Sequence, residues 1–237
     1  MLRIDNKLVR INGSLARYIE PPLPPFPTDM DFIYLAKDFD GTKITNKAIN
    51  STFGDYIANG TLTINGSGST CYLTNDLNDS NYLYKQLTND ELNKIKAIDT
   101  TYTWFIRVYN GNNGVGGIVS TRMSGGYNYM IRSNGTQLQI HTSRGNDCGS
   151  DFLLNVDRVY KVIIQGSSFQ AKNLDTNAVY NLTYSTTRSM GNFMTTFNAG
   201  FNGESKLYRF YGLAGIARAT TEDEDTAIKN ILMNQGL

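Results

Sequence analysis

Histidine and tryptophan each occur once in the 237 residues, as His141 and Trp104, and cysteine occurs twice. Around this one histidine the sequence marks out no Ser-His-Asp or Cys-His arrangement, and no second imidazole is left for a metal site, so His141 is expected to be a solvated side chain. Proline is missing everywhere outside 21–27, where all five prolines stand. Charged residues make up 18% of the chain and the formal net charge is +1, too small a basic excess for a nucleic-acid surface. No stretch approaches the roughly eighteen apolar residues of a membrane span, and Arg3, Asp5, Lys7 and Arg10 interrupt the apolar run that a secretory segment would need. Synthesis in a cytoplasm without membrane insertion is therefore expected. Cys71 and Cys148 are expected to stay reduced, since paired cysteines are uncommon in such a compartment.

The clustered prolines divide the chain. Proline fixes φ and cannot donate to a ladder, so PPLPPFP should run as an extended polyproline II spacer. The expected organisation is an arm at 1–20, a spacer at 21–28 and one domain at 29–237, long enough to bury a single core without metals or disulfides.

Within the domain the main pattern is period two broken by Asn-Gly, a hairpin signal. Residues 102 to 109 alternate Tyr102, Trp104, Ile106 and Val108 against Thr103, Phe105, Arg107 and Tyr109. Residues 159 to 165 form a second, more apolar strand, and both read as central strands. Further strands are expected at 61–64, 70–74, 117–123, 169–174, 178–184, 195–201 and 206–217. Two capping boxes open helices. Thr88 with Glu91 precedes Leu92, Ile95 and Ile98, spaced for one helical face. Thr221 with Glu224 precedes Ala227, Ile228, Ile231 and Leu232, with Gly236 at the expected end. The acidic run Glu222 to Asp225 is explained by the helix dipole. About ten short strands without βαβ alternation predict an all-β, antiparallel two-sheet jelly-roll sandwich with one or two short helices.

Asn134-Gly135, read as a two-residue loop, predicts a register. Ile131 would face Leu138 and Tyr129 would face Ile140 on the core side. Arg132 would face Gln137, Met130 would face Gln139, and Asn128 would face His141 on the other side. Asn128, Arg132, Gln137, Gln139 and His141 then form a polar patch able to meet sugar hydroxyls, or the solvated face of an outer sheet. Asp38-Phe39-Asp40-Gly41 lacks the spaced ligands of a calcium loop and reads as a turn. Gly114, Gly116 and Gly117 read as a flexible turn, and Arg144 to Asp147 as a loop after the hairpin that contributes to recognition or is plain soluble loop chemistry. The confident strands carry almost no Asp or Glu, so the carboxylate pair of a glycosidase is not found and an enzyme is not expected. No cofactor or metal is expected.

Three passages, TYTWFIRVYN at 101–110, GGIVSTRMSGGYNYMIRSNGTQLQIHTS at 116–143 and SKLYRFYGLAGIARATTEDEDTAIKNIL at 205–232, resemble the concanavalin A-like lectin/glucanase superfamily, particularly its laminin G-like branch. The resemblance covers about 29–237 and implies two curved antiparallel sheets, often used to bind carbohydrate or protein. The Glu-x-Asp-x-Glu signature of the glucanase members is absent, and the metal ligands of legume-type lectins have no counterparts. The arm MLRIDNKLVRINGSLARYIE resembles the docking segments of tailed-bacteriophage fibre and head-decoration proteins. Its Asn12-Gly13 would fold a hairpin with Val9 and Ala16 on one face, and Leu2, Ile4, Leu8, Val9, Ile11 and Leu15 would supply the docking contacts.

These expectations describe a non-enzymatic phage virion protein, a fibre or capsid decoration. It would dock onto other virion proteins through 1–20, assemble as a homo-oligomer, with a trimer favoured, and display a lectin-like domain toward host-surface glycan. The alternatives are a glycan-active hydrolase or lyase of the same fold and a cellular carbohydrate-binding or adhesion module.

Overall fold

The alternation from Tyr102 onward becomes a nine-residue strand, Thr101–Tyr109, buried on both faces over most of its length. Tyr102, Trp104, Ile106 and Val108 enter the main core, while Phe105 on the opposite face enters a second, smaller one. The computed structural model describes residues 8–11, 14–17, 26–78, 80–111, 115–121, 130–141, 145–183, 191–197 and 209–236.

Sixteen of the described strands form two antiparallel sheets around the main core. In the first, the order is β13 (Gly145–Asp147), β12 (Gln137–His141), β11 (Met130–Asn134), β10 (Val115–Ser120), β17 (Phe193–Phe197), β8 (Tyr82–Gln86), β5 (Tyr56–Asn59) and β4 (Lys43–Ile44). In the second, it is β16 (Val179–Thr183), β15 (Ser168–Asn173), β14 (Val159–Gln165), β9 (Thr101–Tyr109), β18 (Arg209–Ile216), β7 (Tyr72–Thr74) and β6 (Thr63–Asn65), with β3 (Phe32–Leu35) also on β18. A separate two-stranded sheet pairs β1 (Leu8–Ile11) with β2 (Ser14–Arg17), Val9 opposite Ala16. Leu2, Ile4 and residues 21–25 of the spacer lie outside the described residues.

The all-β sandwich expected from the sequence is present, with more strands than expected. β3, β4, β5, β8 and β13 were not foreseen, because each is two to five residues long and shows too few alternations to register as a period. The supposed glycine turn is also a strand: Gly116 and Gly117 sit inside β10, with a bulge beyond Gly117. The Asp38–Gly41 segment is a turn, in which the Asp40 carboxylate accepts from the Thr42 and Lys43 amides.

Both capping boxes form. α1 (Asn89–Lys96) starts at Thr88 and α2 (Glu222–Asn234) at Thr221. α1 stops at Ala97 in the left-handed region, so Ile98 lies past the helix and is exposed, not on its apolar face. At the end of α2 the left-handed residue is Gln235 and not Gly236. Gln235 accepts the strain because its buried amide donates to the Tyr211 and Leu232 carbonyls, an arrangement glycine could not supply. Cys71 and Cys148 are buried free thiols.

Candidate functional site

Burial decides which sheet face can meet a ligand. α2 lies on the outer face of the second sheet, where Ile228 and Leu232 pack with Phe105, Val159 and Ala214. Its first turn is pinned by the buried Lys161–Asp225 pair, with Nζ 2.8 Å from each carboxylate oxygen. The dipole reading of Glu222 to Asp225 therefore needs correction at Asp225: its carboxylate is a buried partner of a lysine on β14. The last turn is held by Arg107, which donates to the Leu232 and Met233 carbonyls at 2.8 and 2.9 Å, makes a two-pronged bond to Asp157, and stacks on the Tyr211 ring at 4.3 Å. α1 sends Ile95 into the main core with Leu92 against it. The outer face of the first sheet is left to carry a polar array.

That array is built on the β11–β12 hairpin. Ile131, Leu138 and Ile140 point into the main core, so Arg132 and Gln139 point away from it. The expected pairing is displaced by one residue on each strand. Ile131 pairs with Ile140, Arg132 with Gln139, Ser133 with Leu138, Asn134 with Gln137 and Met130 with His141. Gly135 alone of the tip residues has a positive φ, so Gly135 and Thr136 make the loop while Asn134 remains in the strand. The tip is fixed from outside: the Asn110 amide donates to the Gly135 carbonyl at 2.8 Å, and the Leu154 amide to the Thr136 carbonyl at 2.6 Å. Because the displacement preserves the period of two, the polar set stays on one face although its partners change.

β13 completes the site. It pairs with β12 so that Asp147 lies opposite Gln139, which turns the expected Arg144–Asp147 loop into a strand over its last three residues. Gln139 then bridges two charges. Its amide oxygen accepts from Arg132 Nε, and its Nε2 donates to Asp147 Oδ1 at 2.8 Å. Asn134 Nδ2 reaches the same carboxylate at 3.1 and 3.4 Å. Gln139 is only 4% exposed, which corrects the expectation that it belongs to a solvated patch, whereas Asp147 is exposed and Arg132 half-buried. The result is a carboxylate and a guanidinium on either side of a buried amide that orients both, near a sheet edge. Behind them, burial and then the Asp147 charge push the Cys148 thiol up to about 12.

Of the five ligand residues expected from the sequence, Arg132 and Gln139 are in contact. Gln137 is half-buried and paired in register with Asn134, and the His141 backbone ends β12 opposite Met130 and Gly145. Asn128 lies outside the described residues. Asn134 was not among the expected site residues, and Asp147 was weighed only as part of a loop, so its place beside Gln139 was missed. The signal for them was a three-residue strand after the hairpin, too short for periodicity to show. Among the described residues, no group of three or more His, Cys, Asp and Glu side chains is placed to hold a metal ion.

No family model and no curated protein matches the chain. Solved structures do match its fold. A sialidase from Trypanosoma rangeli superposes with a TM-score of 0.58 at 8% identity, over 90% of this chain and 33% of the sialidase chain. Domain 4 of a GH43 extracellular arabinanase from Geobacillus stearothermophilus, in complex with arabinotriose, gives 0.58 at 10% identity, over 85% of this chain and 98% of that domain. The binding domain of Paraclostridial mosquitocidal protein 1 gives 0.61 at 10% identity, over 86% and 52%. The chain thus spans about a third of the sialidase chain and about half of the toxin binding domain. At such identities the likeness is one of β-sandwich fold. It overturns the expectation that the chain is not an enzyme. That expectation rested on the lack of a carboxylate pair in the confident strands and on the single histidine, whereas the same sandwich occurs in a sialidase chain and in a domain of a glycoside hydrolase.

Proposed function

We propose that this chain is a glycan-recognition β-sandwich whose binding face is the outer side of the first sheet. The observation that carries the reading is Gln139. A glutamine side chain removed from solvent has both ends of its amide committed to holding Arg132 and Asp147 in one arrangement. Simple solvation of a surface does not require a buried organiser, because desolvating an amide has a cost unless its hydrogen bonds are met. Alternating donors and acceptors held in fixed positions suit vicinal hydroxyls, which both give and take hydrogen bonds. The arabinotriose on the arabinanase domain supports the same class of ligand on this fold.

The finer part of the proposal is display on a virion. Residues 1–20 would attach to other virion proteins, with the chain as a homo-oligomer. Its support is that β1 and β2 pair with each other and join neither large sheet, and that an isolated two-stranded hairpin gains stability by pairing with a partner. Deleting 1–20 is expected to abolish particle incorporation, and normal incorporation of the truncated chain would refute the attachment. For the binding face, a glycan array is expected to give hits that Asp147→Asn reduces at least tenfold with an unchanged melting temperature, since Asp147 is exposed. Equal binding by Asp147→Asn and Arg132→Ala would refute the site.

A further inference from the structure

Three aromatic side chains stand on the same outer face as the polar array, three strands away. On β8, Leu83 enters the main core, so Tyr82 and Tyr84, both half-buried, stand on the other side of the strand, Tyr82 also packing against the margin of that core; on β17, Met194 enters the core, so Phe193 turns outward. Tyr84 lies opposite Thr195 on β17 and Ile57 on β5, in the middle of the sheet. The Tyr82 and Tyr84 ring centroids are 6.1 Å apart with their planes inclined at 61°, and those of Tyr84 and Phe193 are 6.4 Å apart at 52°, so the rings are neighbours in succession, each turned against the next. Phe193 is 41% exposed, the one aromatic among the large apolar side chains exposed in the described residues. Asn59, Gln86 and Thr195 stand beside the line, the first two exposed and the third half-buried.

Phe193 is exposed and Tyr84 half-buried on a face turned away from the core, and apolar surface there invites self-association, so its presence calls for an occupant. The flat faces of such rings are apolar while the flanking amides and hydroxyl are hydrogen-bonding, which matches a pyranose ring with an apolar C–H face and a rim of hydroxyls. The ring spacing lets consecutive sugars of a chain each meet one side chain. The two lysines nearest in register, Lys43 and Lys85, are already paired with Asp55 at 2.6 Å and Glu91 at 3.2 Å, so among the described residues they offer an acidic sugar little counter-charge. Arg132 on β11 is three strand steps from β8, about 14 Å, so one ligand can reach both regions only as a chain.

We infer that Tyr82, Tyr84 and Phe193 are a stacking platform for successive units of a neutral hexopyranose chain whose other end meets Arg132, Gln139 and Asp147. The inference rests on the glycan reading above and adds ligand length and charge. Calorimetric titration of the full chain with cello- and laminari-oligosaccharides of one to six units tests it. Affinity should rise at least tenfold from two to five units in one series. Phe193→Ala and Tyr84→Ala should each lower five-unit affinity about tenfold while changing two-unit affinity less than twofold. Tyr84→Phe should retain binding, and Asp147→Asn should weaken every length. Phe193 is exposed, so Phe193→Ala is expected to keep the melting temperature and serves as the variant free of folding effects. Unchanged length dependence in both aromatic variants would overturn the platform and leave the polar site standing. Preference for an acidic polysaccharide such as polygalacturonate in the same titration would overturn the neutral-chain inference alone. No binding to any glycan would overturn both.

Discussion

Replacing Asp225 by asparagine tests whether α2 is held on the second sheet by charge as well as by apolar packing. The carboxylate receives Lys161 Nζ on both oxygens at 2.8 Å and the Thr220 hydroxyl at 2.6 Å, with the lysine and aspartate side chains 6% and 7% exposed. Asparagine keeps the shape and one oxygen acceptor but leaves the ammonium without its counter-charge. Removing one partner of a buried pair costs about 3 to 5 kcal/mol. The Thr220 carbonyl, 3.5 Å from Nζ, and the Phe105 ring, 5.9 Å away, compensate in part, which places the expected loss near the lower end, about 3 kcal/mol. For a domain of this size that corresponds to roughly 6 to 12 °C in melting temperature. Urea unfolding followed by circular dichroism measures the loss directly. The control is the double variant Lys161→Met with Asp225→Leu, in which no charge is stranded and the loss should fall to about 1 kcal/mol or less. Should Asp225→Asn lie within about 1 kcal/mol of the unaltered protein, or the double variant be as unstable as the single one, the electrostatic account of helix docking is wrong.

Three further outcomes follow from particular contacts. Gly215→Ala should destabilise by about 1 to 3 kcal/mol in the same unfolding assay, because a Cβ there would stand 2.7 Å from both Phe32 Cε1 and the Tyr102 hydroxyl; a neutral effect would show that β3 can shift away. The Arg218 guanidinium, hydrogen-bonded to Glu224 and Asp29, holds both carboxyls below their ordinary values of 4.5 and 3.8. Their contribution to stability is therefore present above those values and lost as pH falls through the lower folded ones. Buried Asp31, raised by desolvation despite Lys94, acts in the opposite sense. Melting temperature should thus decline below about pH 4.5, and Arg218→Met should flatten that decline; an unchanged profile would remove the network from the pH response. Cys148, with its thiol near 12, should resist an aromatic disulfide reagent at pH 8 and react once urea unfolds the chain, whereas rapid labelling of the native protein would contradict its burial.

How much of this was legible in the sequence depended on element length and on which partners each element needed. Strand Thr101–Tyr109 and both capping boxes could be read because nine alternating residues, or a Thr and a Glu three apart, carry their own pattern. β13 could not, since three residues show no period, and with it went Asp147. The aromatic line stayed hidden for a similar reason: Tyr82 and Tyr84 lie on a five-residue strand, and Phe193 joins them only through the β8–β17 pairing. The docking of α2 was half visible, in the stripe of Ile228 and Leu232, but its acidic first turn resembled an ordinary dipole match until β14 brought Lys161 beneath Asp225.

The sequence by itself determined the sandwich class, the two helix starts and the division of the hairpin into an apolar and a polar face. Side-chain alternation is a local property of extended backbone, and no distant residue is needed to establish it. The tertiary structure decided which residues oppose one another, which face α2 covers and which side chains complete the site. Those outcomes depend on the partners that distant segments supply, as when Asn110 and Leu154 take the tip carbonyls and the hairpin settles with Arg132 against Gln139, next to Asp147.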